Sequence, residues 1–196
     1  MKDPIVSSYN ETSQTLLHLA QTGDEGAWRQ VAAIYQPLIL RWTRSYGVSE
    51  GDTFDVCQEV LLAASLNLTR FDRRRTGSFR RWLKNITRNK VISERRKASL
   101  PMQGSIDDDW PEPPETEAVI SAERQLLFER IVASVRSHFE ESTWLMFRMT
   151  YLEGRPIADV ALELGKNRGT VDVARSRVLA YIRGHFAEHI EEEKPE

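Results

Sequence analysis

Apolar residues recur at steps of three and four along most of this chain, a period that predicts amphipathic helices. Ser13 and Asp24 are candidate N-caps for the first two, and residues 1–12 read as a tail. The first helix is QTLLHLAQTG, ended by Gly23. The second runs from about Glu25 to Tyr46, with Ala27, Trp28, Val31, Ile34, Tyr35, Leu38 and Trp42 at core spacing. Pro37 predicts a kink or restart within it. A third helix, capped by Asp52 or Thr53, is expected to bury Phe54, Cys57, Val60, Leu61, Ala64 and Leu68. Gly77 permits a turn and Ser78 caps a fourth helix, with Phe79, Leu83, Ile86 and Lys90 along one face and Trp82 on its flank.

The periodicity stops after Lys97. Residues 99–118 hold Pro101, Pro111, Pro113 and Pro114 among six Asp and Glu residues. Proline blocks helix and like charges extend a chain, so this stretch reads as a linker. Shielding of a nucleic-acid surface in the free protein is an alternative use of its carboxylates, set behind simple solvation, the commoner role of a charge block. The second half resumes near Glu117 with Ile120, Leu127, Ile131, Val135 and Phe139 on one face. STWLMFRMTYLEG follows, capped by Ser142 and stopped by Gly154. In RPIADVALELGKNRGTVDVARSRVLAYIRGHF, Ile157, Val160, Ala161 and Leu164 face inward on a helix with Pro156 at its start. Gly165 makes the turn, and Val171, Ala174, Val178 and Ile182 face inward on a helix over Arg168–His185. This is a helix-turn-helix pattern. The predicted fold is all-α: two helical modules, 13–98 and 117–187, joined by an acidic proline-rich linker over 99–116.

The formal net charge of −2 conceals strong segregation. Arg70–Lys97 carries twelve Lys or Arg against Asp72 and Glu94, offset by acidic stretches at 107–123 and 188–196. At 100° per residue, Arg81, Lys84, Arg88 and Arg95 fall on the side of the fourth helix opposite its apolar face. A charge run is most often a solvated face. One sign, and mostly arginine, points instead to a phosphate backbone. The outward face of the last helix carries Asp172, Val173, Ser176 and Arg177, with Arg168 at its start and Arg175 on the flank.

Little else suggests chemistry. Asp55, Gln58 and Glu59 lie away from much of their helix's buried stripe, but no His, Ser or basic partner converges on them, so no catalytic residue is assigned. His18 has no partner at ligand spacing. His185 and His189 are four apart on what should be an exposed helix end, and two ligands fall short of a metal site. No metal or other cofactor is expected. The single cysteine, Cys57, excludes an internal disulfide, suits a reducing cytoplasm and should be a buried thiol. No run of about 18 apolar residues is present and the N-terminus does not read as a signal peptide, so no membrane insertion is expected.

Several short patterns occur together. The first module carries D-x-x-Q-E-V as Asp55, Gln58, Glu59 and Val60, then F-R-x-W-L-x-x-I-x-x-N as Phe79, Arg80, Trp82, Leu83, Ile86 and Asn89. The second carries Y-L-E-G at 151–154, D-V-A-x-x-L-G at 159–165 and G-T-V at 169–171. Each is degenerate alone; in this order, split by a linker, they are specific. The chain resembles a bacterial RNA polymerase sigma factor of the extracytoplasmic function (ECF) subfamily, which keeps the second and fourth conserved sigma regions.

The resemblance implies a cytoplasmic specificity subunit, not an enzyme. Asp55, Gln58 and Glu59 would dock on the clamp helices of the largest subunit of core RNA polymerase. Residues Phe71 to Ser78 would form the loop that reads bases of the −10 promoter element. Arg73, Arg74, Arg75, Arg80, Arg81, Lys84, Asn85, Arg88 and Asn89 would contact that DNA. Arg168, Thr170, Asp172, Val173, Arg175, Ser176 and Arg177 would meet the −35 element. An anti-sigma factor is a further partner the family implies. The chain departs from the family in having Asp172 and Ala174 where Lys or Arg is common after G-T-V, with Arg175 displaced by one. Two other readings compete: a stand-alone helix-turn-helix DNA-binding regulator, and a nucleic-acid enzyme, for which the sequence offers no convergent carboxylates or nucleophile.

Overall fold

A computed structural model describes residues 15–72, 78–98 and 113–190. The fold is all-α, and the described residues form eight α-helices with short 3-10 and π turns between some of them. Helix α1 spans Leu16–Gln21 and is capped by Thr15, whose Oγ1 accepts from the His18 amide at 3.2 Å. Ser13, the cap expected from sequence, lies outside the described residues. Gly23 takes φ 97°, which a side chain would strain, and the chain turns there into α2, Glu25–Ser45. Asp24 caps α2 as anticipated, accepting from the Ala27 amide at 2.7 Å.

Of the kink or restart expected at Pro37, the restart does not occur: α2 continues through it. Proline removes the donor that would have bonded the carbonyl of Ala33, four residues back. Arg130, from the second half of the chain, donates to that carbonyl at 3.2 Å. An orphaned acceptor is thus satisfied from outside the helix.

Helix α3 spans Glu50–Asn67 and begins before the expected caps. Ser49 caps it, accepting from the Asp52 amide at 3.3 Å and donating to the Asp52 carboxylate at 2.7 Å. The buried line is Thr53, Val56, Cys57, Val60 and Ala64, continued by Leu68. Phe54, expected inside, is one 100° step off that line and 55% exposed. Helix α4 spans Phe79–Ala98, buries Phe79, Leu83, Thr87, Val91 and Ile92, and packs on α2 and α3.

Helix α5 spans Glu117–Val135, capped by Thr116. Helix α6, Glu141–Phe147, has no side-chain cap, so Ser142 does not fill that role; it runs into a π turn over Arg148–Leu152. Gly154, at φ 68°, ends the segment. Helices α7, Ile157–Glu163, and α8, Arg168–Ile190, are joined by a turn through Gly165 at φ 61°. Helical dihedrals break at Phe186, just past the predicted end of the second helix at His185.

A small satellite core of Met146, Met149, Val160, Ala161, Val171 and Ala174 holds α6, α7 and the start of α8 together. The main core draws on both halves: Leu17, Ile34, Tyr35, Trp42, Cys57, Phe79 and Leu83 pack in one cluster with Leu127, Ile131, Val135, Phe147, Val178, Ile182 and Phe186. Composition divides the chain after Lys97; packing brings α5 and the end of α8 back onto α1, α2 and α4.

Candidate nucleic-acid and partner-binding faces

The basic helix is fixed by aromatic packing at its start. Phe79 meets Tyr35 at 5.1 Å, Phe71 at 5.3 Å and Trp82 at 5.3 Å between ring centroids. Such offset and edge contacts hold rings in defined orientations. The Gln21 amide donates to the carbonyls of Leu68 and Phe71 at 3.2 and 2.9 Å, pinning the chain before residues 73–77. At the other end the Ser78 hydroxyl accepts from the Arg81 amide at 3.2 Å. Both flanks of the proposed base-reading loop are thereby anchored. Arg73, Arg74 and Arg75 lie outside the described residues.

The cationic residues of α4 do not form one open stripe. Arg81, Asn85 and Asn89 are exposed and Arg88 is half-buried. Arg80 and Lys84 point at the second half of the chain. Arg80 Nη1 lies 2.5 Å from Glu123 Oε2 on α5 and 3.9 Å from Glu115, and Lys84 is ion-paired with Glu115. Arg95, expected on the same stripe, instead donates to the carbonyls of Tyr46 and Gly47 at 2.7 and 3.0 Å. It thus satisfies acceptors at the end of α2, where a cation also complements the helix dipole.

Glu123 reads in the sequence as one more polar residue of an amphipathic helix, yet it is 2% exposed. Its carboxylate accepts from the Trp42 indole at 2.7 Å as well as from Arg80. Burial by itself would raise the Glu115 carboxyl pKa; the Lys84 hydrogen bond and the charges of Lys84, Arg80 and Arg81 together outweigh it and hold the group below its ordinary value.

On α3, Asp55 and Gln58 are exposed and Glu59 is half-buried, paired with Lys90 at 3.3 Å. Asp55 and Glu59 also line an open groove with Asp52, Glu94 and Arg95. The structure adds Leu62 and Leu66, 60% and 72% exposed, which with Phe54 extend this polar face into a partly apolar strip. The signal was available: 54, 58, 62 and 66 step by four along one side of the helix.

The helix-turn-helix places Val171, Ala174 and Val178 inward. Arg168, Thr170, Asp172, Val173, Ser176 and Arg177 are exposed, and Arg175 is half-buried. Asn167 is the cap that sequence reasoning missed: its Oδ1 accepts from the Thr170 amide at 2.7 Å and the Thr170 hydroxyl at 3.0 Å. Asp172 pairs with Arg175 at 2.9 Å, so the acidic departure in this helix is neutralised locally. A shallow depression beside α8 is lined by Thr143, Met146, Thr170, Val173 and Arg177.

The two C-terminal histidines are not an exposed pair. His185 stacks on Tyr181 at 3.9 Å and bonds its carbonyl through Nδ1 at 3.0 Å. His189 is buried against Tyr35, Phe79 and Phe186 because α8 continues onto the first module's core. Among the described residues no group of three His, Cys, Asp or Glu side chains is placed to hold a metal. Cys57 is fully buried, which pushes its thiol up to about 11. No helix of the described residues is long and apolar enough to cross a membrane.

Residues 31–100 match the family model for Sigma-70 region 2. No curated protein matches. Among solved structures, a similar chain is found in "Structure of CnrH in complex with the cytosolic domain of CnrY", at 22% identity over 84% of this chain and 90% of that one, with a TM-score of 0.37. The part of the chain that holds the polar-apolar strip of α3 and the basic helix α4 is therefore similar to Sigma-70 region 2.

Proposed function

We propose that this chain is an alternative sigma factor of the extracytoplasmic function type. It binds core RNA polymerase, directs it to promoters through −10 and −35 elements, and assists melting. It acts in the cytoplasm by binding rather than catalysis. Its working units are residues 13–98 and 117–187, connected through 99–116. The observation that carries this reading is the match of residues 31–100 to Sigma-70 region 2, over a stretch that bears both an exposed polar-apolar strip and a basic helix.

In this reading Asp55, Gln58 and Glu59 dock on the clamp helices of the largest polymerase subunit. Arg73, Arg74, Arg75, Arg80, Arg81, Lys84, Asn85, Arg88 and Asn89 bind the −10 DNA. An unstacked base costs a few kcal/mol, which a pocket and phosphate contacts can offset without fuel. Arg168, Thr170, Asp172, Val173, Arg175, Ser176 and Arg177 face the −35 element, where side chains reach base edges in the major groove. An anti-sigma factor is a further expected partner.

Arg81 is exposed at the start of the basic helix, which makes it the cleanest test of the −10 assignment. With the polymerase complex on a melted −10 strand, Arg81→Ala should flatten the slope of log affinity against log salt by about 0.7, one single-strand phosphate contact. Core binding should be unchanged. A slope equal to wild type would remove Arg81 from the DNA face. One observation favours the regulator reading instead: the outward face of α8 stands open while Arg80 and Lys84 are occupied. Sequence-specific duplex binding by the chain alone, without polymerase, would support that alternative.

A further inference from the structure

Arg80 and Lys84 belong to the basic helix, yet their side chains are only 14% and 11% exposed. Both are covered by carboxylates from one neighbouring segment, Glu115 just before α5 and Glu123 within it. A carboxylate offers a guanidinium the same two-oxygen edge that a phosphate does. Glu123 is held in place by the Trp42 indole, so its carboxylate is oriented from the core side while Arg80 takes its other oxygen.

We propose that Glu115 and Glu123 occupy the phosphate positions of Arg80 and Lys84 in cis, and that α5 must leave α4 before this part of the basic helix can take nucleic acid. The inference rests on the functional reading only in treating α4 as a nucleic-acid face.

The energetics suit an exchange. A buried ion pair repays little more than the desolvation of its two charges, so trading a carboxylate for a phosphate costs little at Arg80 itself. What resists opening is the apolar seam. Leu127, Ile131, Val132 and Val135 of α5 are buried, and Gln30–Ser134 and Arg130–Ala33 hydrogen bonds at 3.4 and 3.2 Å stitch α5 to α2. The free chain therefore stays closed, with Arg81, Asn85 and Asn89 open and Arg80 and Lys84 withheld.

The test uses the full chain alone and a single-stranded oligonucleotide, so its outcome does not depend on polymerase. Glu115→Gln with Glu123→Gln keeps an acceptor for the Trp42 N–H but weakens the hold on both cations. Its affinity should rise at least about tenfold over wild type, and its salt slope should steepen by about 1.4, the value for two added phosphate contacts on a single strand. A control, Glu25→Gln with Glu50→Gln, removes the same charge from two exposed sites. It should leave the slope unchanged.

Gln30→Cys with Ser134→Cys, joined by a reductant-cleavable bis-maleimide in the Glu115→Gln, Glu123→Gln background, should hold α5 in place. The gain should vanish while the bridge is intact and return on cleavage. Wild-type slope in the glutamine pair, an equal gain in the control, or full binding by the bridged protein would each overturn the proposal. Failure to initiate with polymerase would count against the sigma reading and leave this result standing.

Discussion

His189 is buried between Tyr35, Phe79 and Phe186, with Nδ1 3.0 Å from the Tyr35 hydroxyl. Nε2 has no hydrogen-bond partner among the described residues. Burial lowers its pKa from 6.5 to about 4. Between these values the unfolded chain binds a proton that the folded chain refuses. The His189 contribution to stability is therefore full above pH 6.5 and falls as the pH drops toward 4, by up to about 3 kcal/mol. Glu115, whose folded pKa lies below its ordinary 4.5, adds a loss in the same direction but at lower pH. Urea titrations of wild type and His189→Phe should show the variant with a flatter stability profile between pH 4 and 6.5. Parallel profiles would mean the imidazole is not buried neutral. None of this could be read from H-x-x-x-H on a helix with an acidic tail, because what buries His189 is the core of the other module.

At the scale of elements, apolar period and punctuation gave good guidance. Asp24, Gly23, Gly154 and Gly165 stand where the turns and caps demand them. The inward set Val171, Ala174 and Val178 follows the spacing directly. Two departures share one cause: a residue's role is decided by a neighbour far along the chain. Pro37 sits inside α2, and Arg130 donates to the carbonyl it frees. Arg95 leaves the cationic stripe because the end of α2 offers it two carbonyls. Phe54 is a different case: the buried line of α3 runs through Thr53, Val56, Cys57, Val60 and Ala64, one step to the side of it.

The polar-apolar strip of α3 carries the element-scale prediction. Gln58→Ala with Glu59→Arg should weaken binding to core polymerase at least tenfold in a fluorescence titration while the fold is retained. Breaking the Glu59–Lys90 pair at the surface should cost no more than about 1 kcal/mol of stability. Wild-type affinity for core in this variant would remove α3 as the docking element.

At the scale of the whole molecule, the linker composition suggested two separate bodies, and the 13–98 and 117–187 units remain the proposed functional division. The packing joins them through a shared core and a buried carboxylate. From the sequence, shielding by the acidic linker ranks behind solvation, and Glu123 reads as a solvated helix residue; the positions of Glu115 and Glu123 opposite Arg80 and Lys84 identify the pairs. The same charge segregation places basic residues on α4 and, facing two of them, the carboxylates that pair with Arg80 and Lys84.

The most direct measurement mixes the purified chain with bacterial core RNA polymerase, isolates any complex by gel filtration and tests it for initiation on a promoter library. The account predicts a stable complex that starts transcription at defined sites and yields the −10 and −35 sequences together. No complex, with tight sequence-specific duplex binding by the chain alone, would contradict it and make the protein a self-sufficient helix-turn-helix regulator.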